Sequence, residues 1–341
     1  MSITTIKTYF HKDTNLNINS MLSKGSLYHS LLWKKVLEKG FNSKVQYIVT
    51  VKNDQLQAIT PVCVKKKFGF SLFGSPLRGT FTEYMGPIFH DAMDEDMKIE
   101  IIIHQLSFLK KQLGIYIELG SLAEDLISIK LTKSLRSIGF DHSFRPSLEI
   151  SLIEDEDIIW KSFESRARNM ARKSEKHQVE TKVEILTEKT LKEYYSFIEE
   201  TFTRQKSKVP HSLNSYLSLV ENLQTERKLL FVSGRINGKL VSGATFLIDN
   251  NRMVYHSASS NMEGFASAAS SMIQWVAIKE AKSRGILKYD MGGIGIDSID
   301  KFKRSFGRVE VHHNRWVYIF WPFKLLKGLV EWAQKKGFLR I

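Results

Sequence analysis

Apolar and polar positions alternate in two matched stretches of the chain, and a turn dipeptide cuts each stretch in the middle. Residues 44–64, KVQYIVTVKNDQLQAITPVCV, hold two β-rich runs parted by Asn53-Asp54, and residues 228–248, KLLFVSGRINGKLVSGATFLI, hold two more parted by Asn237-Gly238. A tight hairpin turn needs positive φ at its central residues, which Asn, Asp and Gly adopt most readily, so each stretch predicts a β-hairpin. Further apolar sequence follows each hairpin and leads into a long helical pattern, over 94–113 in the first half and 266–284 in the second. Each helix passes into a short strand, GIYIELG from Gly114 and GILKYDMGG from Gly285. The two halves share this order of elements, so one α/β layout occurs twice. It predicts an α+β (mixed α/β) chain with two domains, each a mixed, mostly antiparallel sheet flanked by helices. Strand-like FRPSLEISLI gives way to acidic EDEDIIW near 150–155, so the domains are expected over 1–152 and 153–320, with 321–341 as a terminal helix.

Three helical segments lie between the boundary and the second hairpin. SFESRARNMARKSEKH, 162–177, sets Arg166, Arg168, Arg172, Lys173 and Lys176 against Glu164 and Glu175. Such a run is either a solvated basic face or a strip for phosphate or RNA, since guanidinium forks match phosphate oxygens in pairs. LKEYYSFIEETFTRQK is amphipathic and ends in Thr201, Arg204 and Lys206, and SLNSYLSLVENL starts at Ser212, an expected N-cap.

The segment YDMGGIGIDSIDKFKRSFG, 289–307, carries the clearest candidate chemistry. Its strand ends at Asp290, and Gly292, Gly293 and Gly295 then allow positive φ and close approach of a ligand to the backbone. Phe302 and Phe306 lie four apart, so both rings fall on one face of a short helix and hold Lys303 on a defined edge. Gly-Gly after a strand also serves as a plain turn, and a lysine on a short helix also stands in solvent.

Charge and cysteine usage narrow the classes. The 341 residues carry a formal net charge of +14, a field that concentrates polyanions such as nucleic acid, anionic lipid and phosphorylated small molecules. A single cysteine, Cys63, excludes a disulfide framework and a cysteine-based zinc site, and His312-His313 point to opposite faces of a strand. No metal site is expected. The N-terminus is polar and alternating, and no run of 18 apolar residues occurs, so the expectation is a cytoplasmic protein without a membrane span.

YHSLLWKKVL near Tyr28, SPLRGTFTEYMGPIF near Ser75, Trp160 followed by RARNMARKSEKHQVE, and YDMGG followed by FKRSFG together resemble the Fem family of peptidoglycan bridge-forming aminoacyltransferases and the FemAB-like members of the GNAT superfamily. The resemblance spans nearly the whole chain and implies tandem GNAT-like domains. It implies transfer of an aminoacyl group from aminoacyl-tRNA to an amine of a cell-wall precursor, with no bound cofactor. The family's lysine at the reaction centre falls on Lys303, where its implied role is to stabilise the oxyanion of the tetrahedral intermediate. Acceptor contacts are implied at Thr201, Arg204 and Tyr216, at Tyr84 within FTEYMGP and at Asp290 of the strand exit; Tyr84 and Tyr216 serve equally well as packing residues. The chain departs from the family in lacking a coiled-coil arm between Val179 and Ser212, in Met291 where Phe is frequent, and in His211 where a basic residue is frequent.

Two other readings remain open on sequence. GNAT enzymes that use acyl-CoA hold its pyrophosphate on backbone N–H groups at a helix N-terminus. Here NMEGFASAASSM, 261–272, gives Gly264, Ala266, Ser267 and Ala268 as donor-binding candidates, with Asn261 replacing the usual first Gln or Arg. An acyl-CoA N-acyltransferase acting on an amino sugar or surface-glycan precursor is therefore the alternative. The C-terminus, WPFKLLKGLVEWAQKKGFLRI, spaces Trp321, Leu325, Leu326, Leu329 and Trp332 along one helical face among Lys324, Lys327, Lys335, Lys336 and Arg340. It suits peripheral contact with the anionic inner face of the cell membrane, or a cover for the second domain's sheet. With the net charge, it also keeps a non-enzymatic RNA-binding or membrane-surface protein in view.

Overall fold

The computed structural model describes residues 6–13, 16–67, 69–91, 93–122, 129–307 and 309–325. Its strands are β1 (Ile6–Phe10), β2 (Lys44–Lys52), β3 (Gln55–Lys67), β4 (Phe70–Ser75), β5 (Ile88–Phe89), β6 (Gly114–Ser121), β7 (Asp141–Ser151), β8 (Glu180–Val183), β9 (Leu229–Ile236), β10 (Lys239–Asp249), β11 (Arg252–Ser260), β12 (Lys288–Gly293) and β13 (Val309–Ile319). Its helices are α1 (Asn19–Leu22), α2 (Leu31–Phe41), α3 (Glu95–Lys111), α4 (Ile129–Ser137), α5 (Glu156–Ser162), α6 (Ser165–Lys176), α7 (Glu188–Arg204), α8 (Leu213–Leu223), α9 (Met262–Ala266), α10 (Ala269–Ser283) and α11 (Asp297–Arg304). Two compact units result, and both are discontinuous: unit 1 takes the described residues of Met1–His29, Ser43–Phe144 and His313–Ile341, and unit 2 takes Ser30–Asn42 and Arg145–His312.

In unit 1 the sheet runs β1-β2-β3-β4-β6-β13, with β5 on β3. Its neighbours are antiparallel except β4 and β6, which are parallel. The β2–β3 turn has Asn53 at φ 51° and Asp54 at φ 61°, as the hairpin chemistry predicts. α3 lies over the sheet and closes a core that includes Phe10, Ile48, Phe73, Ile102, Leu106, Ile117 and Trp316.

In unit 2 the order is β7-β12-β11-β10-β9-β8, antiparallel except for the parallel pair β11 and β12. The β9–β10 turn carries Asn237 at φ 49° and Gly238 at φ 76°. α6 and α10 pack together, and Phe163, Ala167, Phe246, Ile273, Ala277 and Tyr289 form the centre of this core. α10 begins at Ala269 rather than 266 because the short α9 comes first.

Sequence reading places α2 in the first domain, whereas α2 packs on α8 in unit 2. Gly40 meets Ser215 there, and side chains of α8 bond to carbonyls in the last two turns of α2. Asn214 donates to Lys39 O at 2.9 Å, Ser215 to Gly40 O at 2.8 Å, and Ser218 to Val36 O at 3.2 Å. The first two bonds satisfy acceptors that a helix end otherwise leaves open, and the third reaches a carbonyl one turn further in.

Two histidines make the fold acid-sensitive. His29 is buried in unit 1, where Nδ1 accepts from Ser26 N at 3.0 Å and Nε2 lies 3.1 Å from Gly86 O. The ring is thus held neutral, and burial lowers its pKa from 6.5 to about 4. His256 in unit 2 falls to about 3, from burial first and the charge of His211 second. Both rings bind a proton more readily unfolded, so their contribution is complete above pH ~6.5 and is lost as pH falls toward the folded values. Urea unfolding at pH 7, 5.5 and 4 should show a fall on the order of 3 kcal/mol per histidine, and His29→Gln should make it shallower. An identical pH profile for the variant contradicts the assignment to His29.

Candidate functional site

The parallel partners β11 and β12 pair only over Arg252↔Lys288, Met253↔Tyr289 and Val254↔Asp290. Beyond that point they follow different neighbours. β11 continues to Ser260 along β10, with an irregularity in register between Thr245 and Phe246, while Gly293 of β12 pairs with Ser147 of β7. The unpaired ends leave a place between two strands of one sheet where an extended ligand can meet backbone groups.

Lys303 stands at this opening. α11 turns Phe302 onto Phe306, with ring centroids 5.1 Å apart, and Phe306 in turn meets Phe163 at 5.2 Å. The lysine side chain is 8% exposed; Nζ donates to Gly293 O at 2.7 Å and lies 5.8 Å from the centroid of the Tyr255 ring. The loop before α11 is tied down by Asp300, whose carboxylate accepts from Gly295 N and Ile296 N. Gly292 sits at φ 75°, and a Cβ there would lie 3.3 Å from Tyr255 O and 3.5 Å from Lys303 Nζ. A side chain at Gly292 would therefore stand against both the Tyr255 carbonyl and the ammonium.

Asp290 is a correction to the sequence reading. It is 1% exposed, and its Oδ1 accepts from Ser147 Oγ at 2.5 Å and from Gly292 N at 2.8 Å. Arg252 donates to Glu149 and comes within 3.8 Å of Asp290 Oδ2. This carboxylate shapes the Gly292 turn from inside and does not face an acceptor.

The donor candidates are largely turned to internal use. A Cβ on Gly264 would lie 2.2 Å from Val241 O, so close packing on β10 requires that glycine. Its N–H donates to Asn261 Oδ1 at 2.9 Å. Ser267 is buried, and the N–H groups of Ser267 and Ala268 bond to Glu263 O and Phe265 O. Ala266 is exposed, and Ala268, at φ 57°, precedes α10, which no side chain caps. The interposed α9 breaks what sequence reading took for one loop entering one helix.

Thr201 and Tyr216 both reach β11. Thr201 Oγ1 donates to Phe197 O at 2.8 Å beside Ser259 Oγ at 3.2 Å, and Tyr216 OH lies 3.3 Å from Ser257 Oγ. Tyr216 is 5% exposed and burial pushes its pKa up to about 12, so it is a neutral phenol packed against Tyr195. Arg204 is exposed. It reaches Thr201 Oγ1 at 3.3 Å, stacks 5.2 Å from the Phe265 ring, and lines with Gln205 and Met262 an open recess of about 340 Å³. Tyr84 belongs to unit 1, where it is 1% exposed and packs edge-on against Tyr28 at 4.8 Å. It is a packing residue, as is Tyr216.

The basic strip divides. Arg168 donates to Lys161 O at 3.0 Å and to Phe163 O, closing the end of α5. Arg166 is exposed, Lys173 is half-buried, and exposed Arg172 lies 5.8 Å from the ring of Trp160.

Sequence reading missed Tyr255, Arg252 and Glu149. The run NRMVYHSASSN signals a strand, but an arginine in an apolar strand was the one visible hint of a buried ion pair. Residues 326–341 of the expected terminal helix lie outside the described residues. Among the described residues no group of His, Cys, Asp and Glu could hold a metal ion, and no helix is long and apolar enough to cross a membrane.

Comparison with known proteins bears on the fold. Residues 161–304 match the family model of the acetyltransferase (GNAT) domain. The chain superposes on FemX with a TM-score of 0.70 at 13% identity, covering 94% of this chain and 99% of that one. L-PGS from Bacillus licheniformis gives 0.53 at 12% identity over 85% and 91%, and a tandem GNAT protein from the clavulanic acid biosynthesis pathway gives 0.54 at 7% over 93% and 99%. No curated protein sequence matches. The fold is a mixed α/β arrangement like that of FemX and the tandem GNAT protein, and the stretch that matches the acetyltransferase (GNAT) domain model lies within unit 2.

Proposed function

We propose that this protein forms an amide bond by transferring an aminoacyl group from aminoacyl-tRNA to an amine of a cell-wall or surface precursor. The observation that carries the reading is the buried Lys303 ammonium, held by Gly293 O beside Gly292 where β11 and β12 part. The amine nitrogen attacks the ester carbonyl carbon, and the carbonyl oxygen takes up negative charge. A fixed ammonium, oriented by its bond to Gly293 O, stabilises that oxygen with little reorganisation. Collapse expels the ribose oxygen, which takes a proton as the attacking nitrogen loses one. Lys303 is an electrostatic partner here and not the base, since the amine's proton can leave through substrate or water.

An acyl-CoA donor is the second reading, and the match of 161–304 to an acetyltransferase domain favours it. Against it, the amides of Gly264, Ser267 and Ala268 already have partners within 261–268. The net charge of +14 suits an RNA donor. Incubation with charged tRNA or acetyl-CoA, together with an amine-bearing cell-wall pentapeptide precursor, separates the readings by product mass. The expected product gains an aminoacyl mass, and binding of the charged tRNA weakens steeply between low and moderate salt as counterions are released. Acetyl product alone supports the second reading, and RNA binding without product supports a non-enzymatic role.

A further inference from the structure

We propose that one end of unit 1, formed by the β3–β4 hairpin, the α3–β6 turn and the residues after β13, docks onto an anionic lipid bilayer. The three segments are contiguous. Ser71 N donates to Leu113 O at 3.1 Å, Phe320 N to Ile115 O at 2.8 Å, and the rings of Phe70 and Phe323 meet at 5.4 Å. Phe320 bridges Trp321 and Phe323, with ring centroids 6.4 Å from each.

This end presents apolar side chains to solvent. Trp321 is 66% exposed, Leu113 64% and Leu325 61%. Isolated exposed apolar residues are ordinary, whereas a contiguous group marks a contact surface. Leu113 is the most telling. It sits at φ 57°, a conformation that favours Gly or Asn, and its side chain is mostly in water, so folding alone gives no reason for leucine.

Lysines surround the patch. Lys65 and Lys66 pair across the hairpin with Leu72 and Ser71, Lys111 directly precedes the Leu113 turn, and Lys324 reaches Asp141 at 2.8 Å. Tryptophan and leucine flanked by lysine match the boundary of a bilayer, where apolar groups enter and ammonium groups meet anionic headgroups. The charge argues for lipid over a second copy of this chain, which would set like charges against each other.

The full chain is to be sedimented with phosphatidylcholine vesicles, with and without phosphatidylglycerol. We expect pelleting only with the anionic vesicles, weakened by salt. Neutralising a lysine near such a surface should lower affinity about fivefold, and Lys65→Glu with Lys66→Glu by more than the product of two such losses. Trp321→Ser and Leu113→Asn should also weaken binding, with melting temperatures unchanged because both side chains are exposed and Asn suits the Leu113 backbone. Absence of pelleting with anionic vesicles overturns the proposal. So does equal pelleting of all variants, or a concentration-dependent dimer in light scattering that the same variants abolish.

Discussion

Gly292→Val is expected to reduce turnover by about 10²-fold or more while the protein stays folded, the scale of losing one oxyanion contact. Two effects combine. The residue sits at φ 75°, where a β-branched side chain costs roughly 1–3 kcal/mol of local strain. Its Cβ would also stand 3.5 Å from Lys303 Nζ and 3.3 Å from Tyr255 O, where an acyl oxygen has to approach the ammonium. The neighbouring glycine supplies the control. Gly293 does not have positive φ, and a Cβ there would meet only Pro146 O at 3.8 Å, so Gly293→Ala should keep most of the activity. Steady-state kinetics of both variants, beside their melting curves, check the argument. Equal loss in the two would mean that the strand exit is sensitive throughout and that Gly292 has no special place in it.

Much of the framework could be read before any coordinates. Asn53-Asp54 and Asn237-Gly238 marked both hairpins because their turn chemistry is local, and the order of elements in the two halves led to a duplicated α+β layout. The Phe302–Phe306 spacing likewise placed Lys303 on an edge. The missed features depend on contacts distant in sequence. Nothing near α2 reveals that its carbonyls accept from Asn214, Ser215 and Ser218 of α8. Asp290 looked available because it ends a strand among glycines, yet Ser147, about 140 residues away, is what occupies it. Gly264 looked like part of a phosphate loop because glycine spacing is the same whether a ligand or the Val241 carbonyl lies opposite. Arg168 follows the same pattern, since residue type and spacing suggested a phosphate contact and the group bonds to carbonyls at the end of α5. Tyr84, implied by the family resemblance, packs against Tyr28.

Lys303→Met is expected to lower the rate of amide formation by about 10²-fold or more, because it keeps the side-chain stem and removes the ammonium. The substitution also isolates charge from packing. A buried, hydrogen-bonded lysine replaced by an apolar side chain of similar length leaves Gly293 O without this donor but creates no large cavity. Folding should therefore survive, and affinity for charged tRNA should hardly change, since one ammonium at 8% exposure contributes little to a long phosphate backbone. The direct measurement is single-turnover amide formation from aminoacyl-tRNA, with enzyme in excess and tRNA binding recorded in parallel, for the natural protein and Lys303→Met. A rate reduced about 10²-fold with tRNA binding intact is the predicted result; an unchanged rate would contradict the role assigned to Lys303.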